Sequence, residues 1–372
     1  TQLQFGKLFV TAALANQQSQ RQTLGLQGGA TNTYFEFKAN DYEENRHFLL
    51  AQYFRNNYNN AMKDLPKVNS QVQILRIEVW VTNRNGATTE TRDVVGLMDL
   101  GENKPYNPSV ISQSGQPLPF NDANNLYRNI INDPNSRSSS QITNKLSSLG
   151  LRPVQDFEKT FARKLLMNVD YSFNQQIGFI SLNQPLQPDE VLAVAFQYTY
   201  NGRVFQVGEF SQDVAPDTTA STNITGQQKV FFLKLLKATS QRTNLPIWDL
   251  MMKNVYYLKT KDGSPVTNIQ PGDFKLNVLY EQPSLGQKRY LPEGDKTGTP
   301  LITLLNLDRL NTRNDPLPDG VFDYLEGFTV ISQQARIIFP YLEPFGRDLD
   351  SVAFKNSTQA IRDKYVYYPL YD

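Results

Sequence analysis

Gln71-Val-Gln-Ile-Leu-Arg-Ile-Glu-Val-Trp-Val-Thr82 is the stretch whose period decides the fold. Apolar and polar residues alternate along it, the pattern of a strand with one face turned to a core. It ends in Asn83-Arg-Asn-Gly86, a turn suited to a hairpin, so residues 88–100 are expected to return as its partner strand. Working backward, Phe48, Leu49, Tyr53, Phe54, Tyr58, Ala61, Met62 and Leu65 recur at helical spacing, and Pro66 follows. That spacing predicts one helix over 46–65, with His47 in its first turn. Working forward, residues 122–132, 139–149 and 154–166 read as helices, whereas 176–182, 190–200 and 203–210 read as strands. Asn201-Gly202 turns the last two into a hairpin.

Hairpin-linked strands with helices inserted in blocks predict an α+β, β-dominated fold of antiparallel, sandwich-like sheets. Residues 213–228 (DVAPDTTASTNITGQQ) have the composition of a linker and divide a first half, 34–212, from a second, 229–372. In the second half 229–236, 274–280, 327–331 and 335–339 have strand character, and 300–307 is apolar without a clear period. Residues 1–33 stand apart. Residues 5–15 (FGKLFVTAALA) can run as one strand with no evident hairpin partner, either an edge strand or a member of a larger barrel. The start has no initiator Met, basic segment or apolar segment, and reads as a piece trimmed from something longer.

Composition narrows the chemistry. The 372 residues carry Lys+Arg 37 against Asp+Glu 36, a net charge of +1, which offers no electrostatic case for nucleic acid or an anionic membrane. Zero Cys excludes thiol chemistry, and a single His excludes any centre built on two imidazoles. No apolar run approaches the roughly 18 residues of a membrane-spanning helix. Abundant Tyr, Asn and Gln give a mean hydropathy of -0.48 without heavy charge.

Asp308, Asn311, Asn314, Asp315, Asp319 and Asp323 crowd one loop that also holds Gly320. Calcium takes about six to eight oxygens from such groups. The spacing is not that of an EF-hand and no Glu closes it, so a loop whose Asp and Asn side chains cap their own backbone is the competing reading. Acids such as Glu78, Asp99, Glu190, Glu209 and Glu326 would serve a glycosidase only if two faced each other at roughly 5–9 Å. No GxSxG, P-loop or GxGxxG is present, and a serine triad would have to use His47. The aromatic residues Trp80, Tyr198, Tyr200, Trp248, Tyr256, Tyr257, Tyr367 and Tyr368 would suit a sugar platform, but most sit in apolar strand patterns that explain them as core. These readings make the chain a non-enzymatic protein, with a free-standing envelope binding module for glycan as the alternative and a carboxylate glycoside hydrolase behind it.

Several ordered blocks carry more than pattern. They are His47-Phe-Leu-Leu-Ala-Gln-Tyr-Phe-Arg-Asn-Asn-Tyr58 with Ile77-Glu-Val-Trp-Val-Thr-Asn-Arg84, and Pro188-Asp-Glu-Val-Leu-Ala-Val-Ala-Phe-Gln-Tyr-Thr-Tyr-Asn-Gly202 with Gln206-Val-Gly-Glu-Phe-Ser211. Trp248-Asp-Leu-Met-Met-Lys-Asn-Val255, the 308–327 loop and Arg336-Ile-Ile-Phe-Pro-Tyr-Leu-Glu-Pro-Phe-Gly346 follow. Together, over about 34–372, they resemble the SprA/Sov family, the outer-membrane translocon of type IX secretion in Bacteroidetes, which is also tied to gliding motility. The resemblance implies a much longer parent, a very large single-chain barrel with soluble regions inserted between its strands. It implies as partners the rest of that barrel, a PorV-type subunit, a plug protein and secreted cargo. This chain, with at most one candidate barrel strand, is then expected to form part of a cap or vestibule. Long insertions of outer-membrane barrels lie outside the cell, which favours the extracellular face and would supply calcium to the Asp/Asn loop.

Overall fold

The structure, a computed structural model, describes residues 34–86, 90–214, 229–267, 269–282 and 286–372, together with the backbone of 2–5 and 8–11. Residues Thr1–Tyr34 and Phe35–Asp372 form two compact units. In the first, β1 (Gln2–Phe5) pairs antiparallel with β2 (Leu8–Thr11), Gln2 opposite Thr11. The single strand expected over 5–15 is therefore divided between two strands of a hairpin. Gly6, a poor strand residue, interrupts the apolar run, and 12–15 lie outside the described residues.

In the second unit the helix expected over 46–65 also divides. His47–Leu49 is a strand, β3, and α1 spans Gln52–Met62. Phe48, Leu49 and Leu50 are buried in succession, which suits a strand enclosed on both faces better than one helical stripe. Only from Phe54 does burial follow a single helix face, through Tyr58, Ala61 and Met62. Ala51 cannot cap the helix, and Glu102 does so from a distant loop, Oε1 accepting from Gln52 N–H at 3.1 Å.

β4 (Val72–Thr82) is the strand that its alternation predicts. Its partner is different: β5 (Thr91–Leu97) does not pair with it. After α2 (Leu126–Ile131) and α3 (Ile142–Ser148), which fall within the expected helices, comes β6 (Phe157–Lys164) in place of the helix expected over 154–166. β6 lies between the two, matched to β5 from Thr91↔Arg163 to Leu97↔Phe157 and to the end of β4 at Trp80↔Lys164. The full-length register with β5 overrides the local hairpin signal.

β7 (Tyr171–Asn174), β8 (Phe179–Leu182), β9 (Leu192–Tyr200), β10 (Arg203–Val207) and β11 (Phe231–Lys237) follow. β9 runs antiparallel to β4 from Val72↔Tyr200 to Val81↔Leu192, and β11 is antiparallel to β9 and parallel to β5. These pairings close β4, β9, β11, β5 and β6 into a ring, with β10 hairpinned onto β9. Trp80, Val94, Ala162, Ala193, Ala195, Phe210, Phe231 and Leu233 form a cluster of their own within it. Large Trp80 and Phe231 meet edge-on at 5.0 Å, and the three alanines make room, as small barrels require. At Gly96 on β5 an added Cβ would lie 2.8 Å from Leu235 Cδ1, so any larger residue would oblige that side chain to shift. Alternate residues Val79, Val81, Val95, Leu97, Val194 and Phe196 face the main core, which explains why β9 reads LAVAF instead of alternating.

β12 (Val255–Tyr257), β13 (Tyr280–Gln282), β14 (Gly286–Lys288), α4 (Leu301–Leu304), β15 (Val330–Ile331), β16 (Arg336–Ile338), α5 (Arg347–Ala353) and α6 (Gln359–Tyr365) complete the chain. The sheet β12–β16–β15 and these short helices enclose a second core around Tyr256, Leu307, Ile337, Phe339 and Phe354. The architecture is strand-rich α+β with several sheets and, among the described residues, six helices. Of the expected linker, 215–228 lie outside the described residues. On either side of them β10 and β11 belong to one sheet; the main core takes residues up to Val255 and again Ile338 and Leu342, and the second core draws on residues from Tyr256 onward.

Candidate functional site: a charged seam and an aspartate loop

His47, the one imidazole of the chain, is carried by β3 and fully buried. Its Nδ1 lies 2.8 Å from Ser181 Oγ on β8, and its Nε2 2.9 Å from Glu43 Oε2. A serine, an imidazole and a carboxylate in line have the make-up of a nucleophilic relay. The surroundings give it another task. Ser181 belongs to the middle strand of β3–β8–β7 and is 4% exposed, so a substrate has no approach in this fold. Glu43 is held in addition by Arg46 and by Arg336 from β16. Burial pushes the Glu43 carboxyl up, but His47 and Arg336 outweigh it and hold the group at about 2. Burial pushes His47 down against the pull of Glu43, and Arg336 and Arg46 push it down as well.

This cluster is one end of a polar seam that joins the two cores along α1. Tyr58 donates to Phe339 O at 3.0 Å, and Asn254 Nδ2 donates to Tyr58 Oη at 2.9 Å and to Phe339 O at 2.8 Å. Farther along, Arg55 pairs with Glu343 at 2.9 Å, Asn59 donates to Asp348 at 2.7 Å, and Arg309 meets Asp64 at 3.1 Å. Apart from the Asn254–Phe339 bond, each of these contacts spans more than 180 residues of sequence.

The aspartate loop spends its oxygens on its own backbone. Asp308, 1% exposed, accepts from Thr303 Oγ1 at 2.6 Å, Asp319 N–H at 2.9 Å and Gly320 N–H at 3.1 Å. Asp323 Oδ2 accepts from the N–H groups of Arg309 and Leu310, Asn311 Oδ1 from those of Arg313 and Asp315, and Asp319 Oδ1 from that of Val321. Asn314 takes the left-handed conformation that lets the loop turn. Burial pushes the Asp323 carboxyl up, its backbone donors pull it down, and the nearby Asp308 and Asp319 push it up again. Among the described residues no group of three or more Asp, Glu or His is placed to hold a metal ion.

The remaining acids named from sequence are each engaged separately. Glu78 accepts from Ser211 and meets Lys164 at 3.2 Å, and Asp99 accepts from the N–H groups of Tyr106 and Asn107. Glu209 is clasped by Arg137 at 2.6 and 2.7 Å and by Tyr127 at 2.9 Å. Glu190 accepts from Gln187 N–H, and Glu326 from Ser332 N–H and Tyr324 Oη. Of the aromatic candidates, Trp80, Tyr198 and Tyr256 are core, while Tyr367 is exposed.

Three buried lysines escaped the sequence reading, although two interrupt the apolar run of β11. Lys234 pairs with Glu102 at 2.7 Å. Lys237 donates to the carbonyls of Gln187, Pro188 and Glu190 at 2.7–3.2 Å, and burial pushes it down to about 8. Burial brings Lys253, 4.4 Å above the Trp248 ring, to about the same value.

The signature of the SprA_N family, described as motility related/secretion protein, matches residues 1–204. No curated protein matches the chain.

Proposed function

Because the chain belongs to the SprA_N family of motility-related and secretion proteins, we propose that it is a non-catalytic structural and interaction region of a type IX protein-secretion translocon in the outer membrane. In this reading it builds part of the cap or vestibule on the extracellular face. There it contacts the rest of the barrel, a PorV-type subunit, a plug and passing cargo, and has no nucleic-acid partner. The family match is the observation that carries the proposal. It is supported by the engagement of the sole imidazole and of every candidate acid in internal contacts, which favours a building element over an enzyme. A net charge of +1 suits a wall that must not hold diverse cargo electrostatically. None of the helices of the described residues is long and apolar enough to cross a membrane.

An antibody to this segment, applied to envelopes of the source organism, tests the reading. Reactivity with one very large outer-membrane chain is expected, with cleavage by protease added to intact cells. Protection in intact cells and cleavage in opened ones would transfer the region to the periplasm. A free species of the chain's own mass would overturn the translocon assignment.

A further inference from the structure

A groove of about 480 Å³ lies between α1, the segment leading into β4, the β7–β8 turn and the end of β9. Its floor is Phe54, Ala61 and Ile177, all buried. Its walls are Tyr53, Asn57 and Asn60 from one face of α1, opposed by Gln71, Gln176 and Tyr200. Lys67 is the only charged residue in the lining. The volume falls in the range of small-ligand sites.

From this lining we propose that the groove binds a neutral sugar chain. Primary amides offer two donors and an acceptor without charge, which matches hydroxyls that also both donate and accept. Among the described residues the side chains of Asn60, Gln71 and Gln176 have no hydrogen-bond partner, so these groups are free for a ligand. Tyr53 and Tyr200 are half-buried and near enough that burial and the Tyr200 hydroxyl both push the Tyr53 hydroxyl up. Rings with an apolar body and a polar tip suit the faces and rims of a pyranose.

An extended polypeptide fits less well. β4 and β9 already pair with each other at this end, Val72 opposite Tyr200, and Ile74 N–H is taken by Gln175 O, so no ladder is offered for strand addition. The site is also built firmly. At Gly178, φ +76, an added Cβ would lie 2.1 Å from the Phe54 ring, so the β7–β8 turn seats directly on the helix. This inference does not depend on where in the envelope the chain resides.

The test is saturation-transfer NMR and calorimetry on the whole 372-residue chain. The probes are neutral hexaoses of glucose (α- and β-linked), mannose and N-acetylglucosamine, with a galacturonate hexamer as the charged control. A parallel arm uses vesicles bearing a neutral dihexosyl headgroup. Binding of at least one neutral sugar in either form, and not of galacturonate, is expected; the form that binds identifies a free or a lipid-borne source. The double variant Asn60→Leu/Gln176→Leu, both residues being on the surface, should keep its melting midpoint and lose at least about tenfold in affinity. Lys67→Ala should change neither. No binding in any form, unchanged affinity in the folded double variant, or capture of an Asn/Gln-rich peptide with no sugar bound would overturn the proposal.

Discussion

The ring of strands around Trp80 and the C-terminal core around Tyr256 are held by different means. In the ring, five strands satisfy one another's backbone through ladders, and buried charges such as Glu209 and Lys234 fasten helices and loops to its outside. In the C-terminal core the strands are two or three residues long. Side-chain carboxylates and amides there supply many of the acceptors that ladders would otherwise provide, Asp308 and Asp323 above all. Two solutions to the same demand, that every buried N–H find an acceptor, thus stand side by side and differ in which substitutions they withstand.

The most severe way to break the first solution is Trp80→Ala. It empties the centre of the ring and should cost about 4 kcal/mol, read as a fall in the urea midpoint at constant slope. A loss under about 1 kcal/mol would mean that the ring collapses around the gap. Arg137→Ala comes next. It strands Glu209, 3% exposed, on Tyr127 and a backbone N–H, and about 3 kcal/mol should be lost. On the other side, Asp308→Ala removes three hydrogen bonds to one buried carboxylate, with an expected loss of about 2–3 kcal/mol. Asp308→Asn, which keeps an acceptor, should recover part of it. If Asp308→Ala proved silent, the contrast between the two regions would fall.

Acid should weaken the seam that joins them. Glu43 is held at about 2, below its ordinary value, so its contribution is complete above about 4.5 and is lost as pH falls toward about 2. His47 is also pushed down, so the unfolded chain takes up its proton first and stability begins to fall below about 6.5. Urea midpoints between pH 7 and 5 should decline in the native chain and less so in His47→Gln; parallel profiles would remove His47 from the account. The smallest effect is calcium. With the loop oxygens engaged by N–H groups, millimolar calcium should leave the melting midpoint unchanged, whereas a rise would assign the loop a metal.

Much of this was legible from residue order, for reasons that differ by element. β4 is plain because its alternation is local, and β9 because the Asn201-Gly202 turn that ends it is. The start of α1 is not legible, because His47-Phe-Leu-Leu50 suits a buried strand or a buried helix equally, and only the match to β8 decides. β6 reads as a helix, and β5 as the partner of β4, because the register Thr91↔Arg163 has no trace in either segment taken alone. At the candidate site, the Asp/Asn loop was visible as composition. The meeting of Glu43, Ser181 and Arg336 was not, since nothing in sequence brings such distant residues together.

The closure of the ring also sets an order of events for a chain made from its N-terminus. β4 is among the first strands to emerge, yet its neighbour β9 and the closing strand β11 arrive far later. Until they do, apolar Val72–Thr82 presents a long unpaired edge, the kind of surface that recruits wrong partners. Non-local pairing of this sort is slow. We therefore expect refolding to lag behind that of local-contact domains of similar size, and a holding chaperone to raise its yield more than its rate.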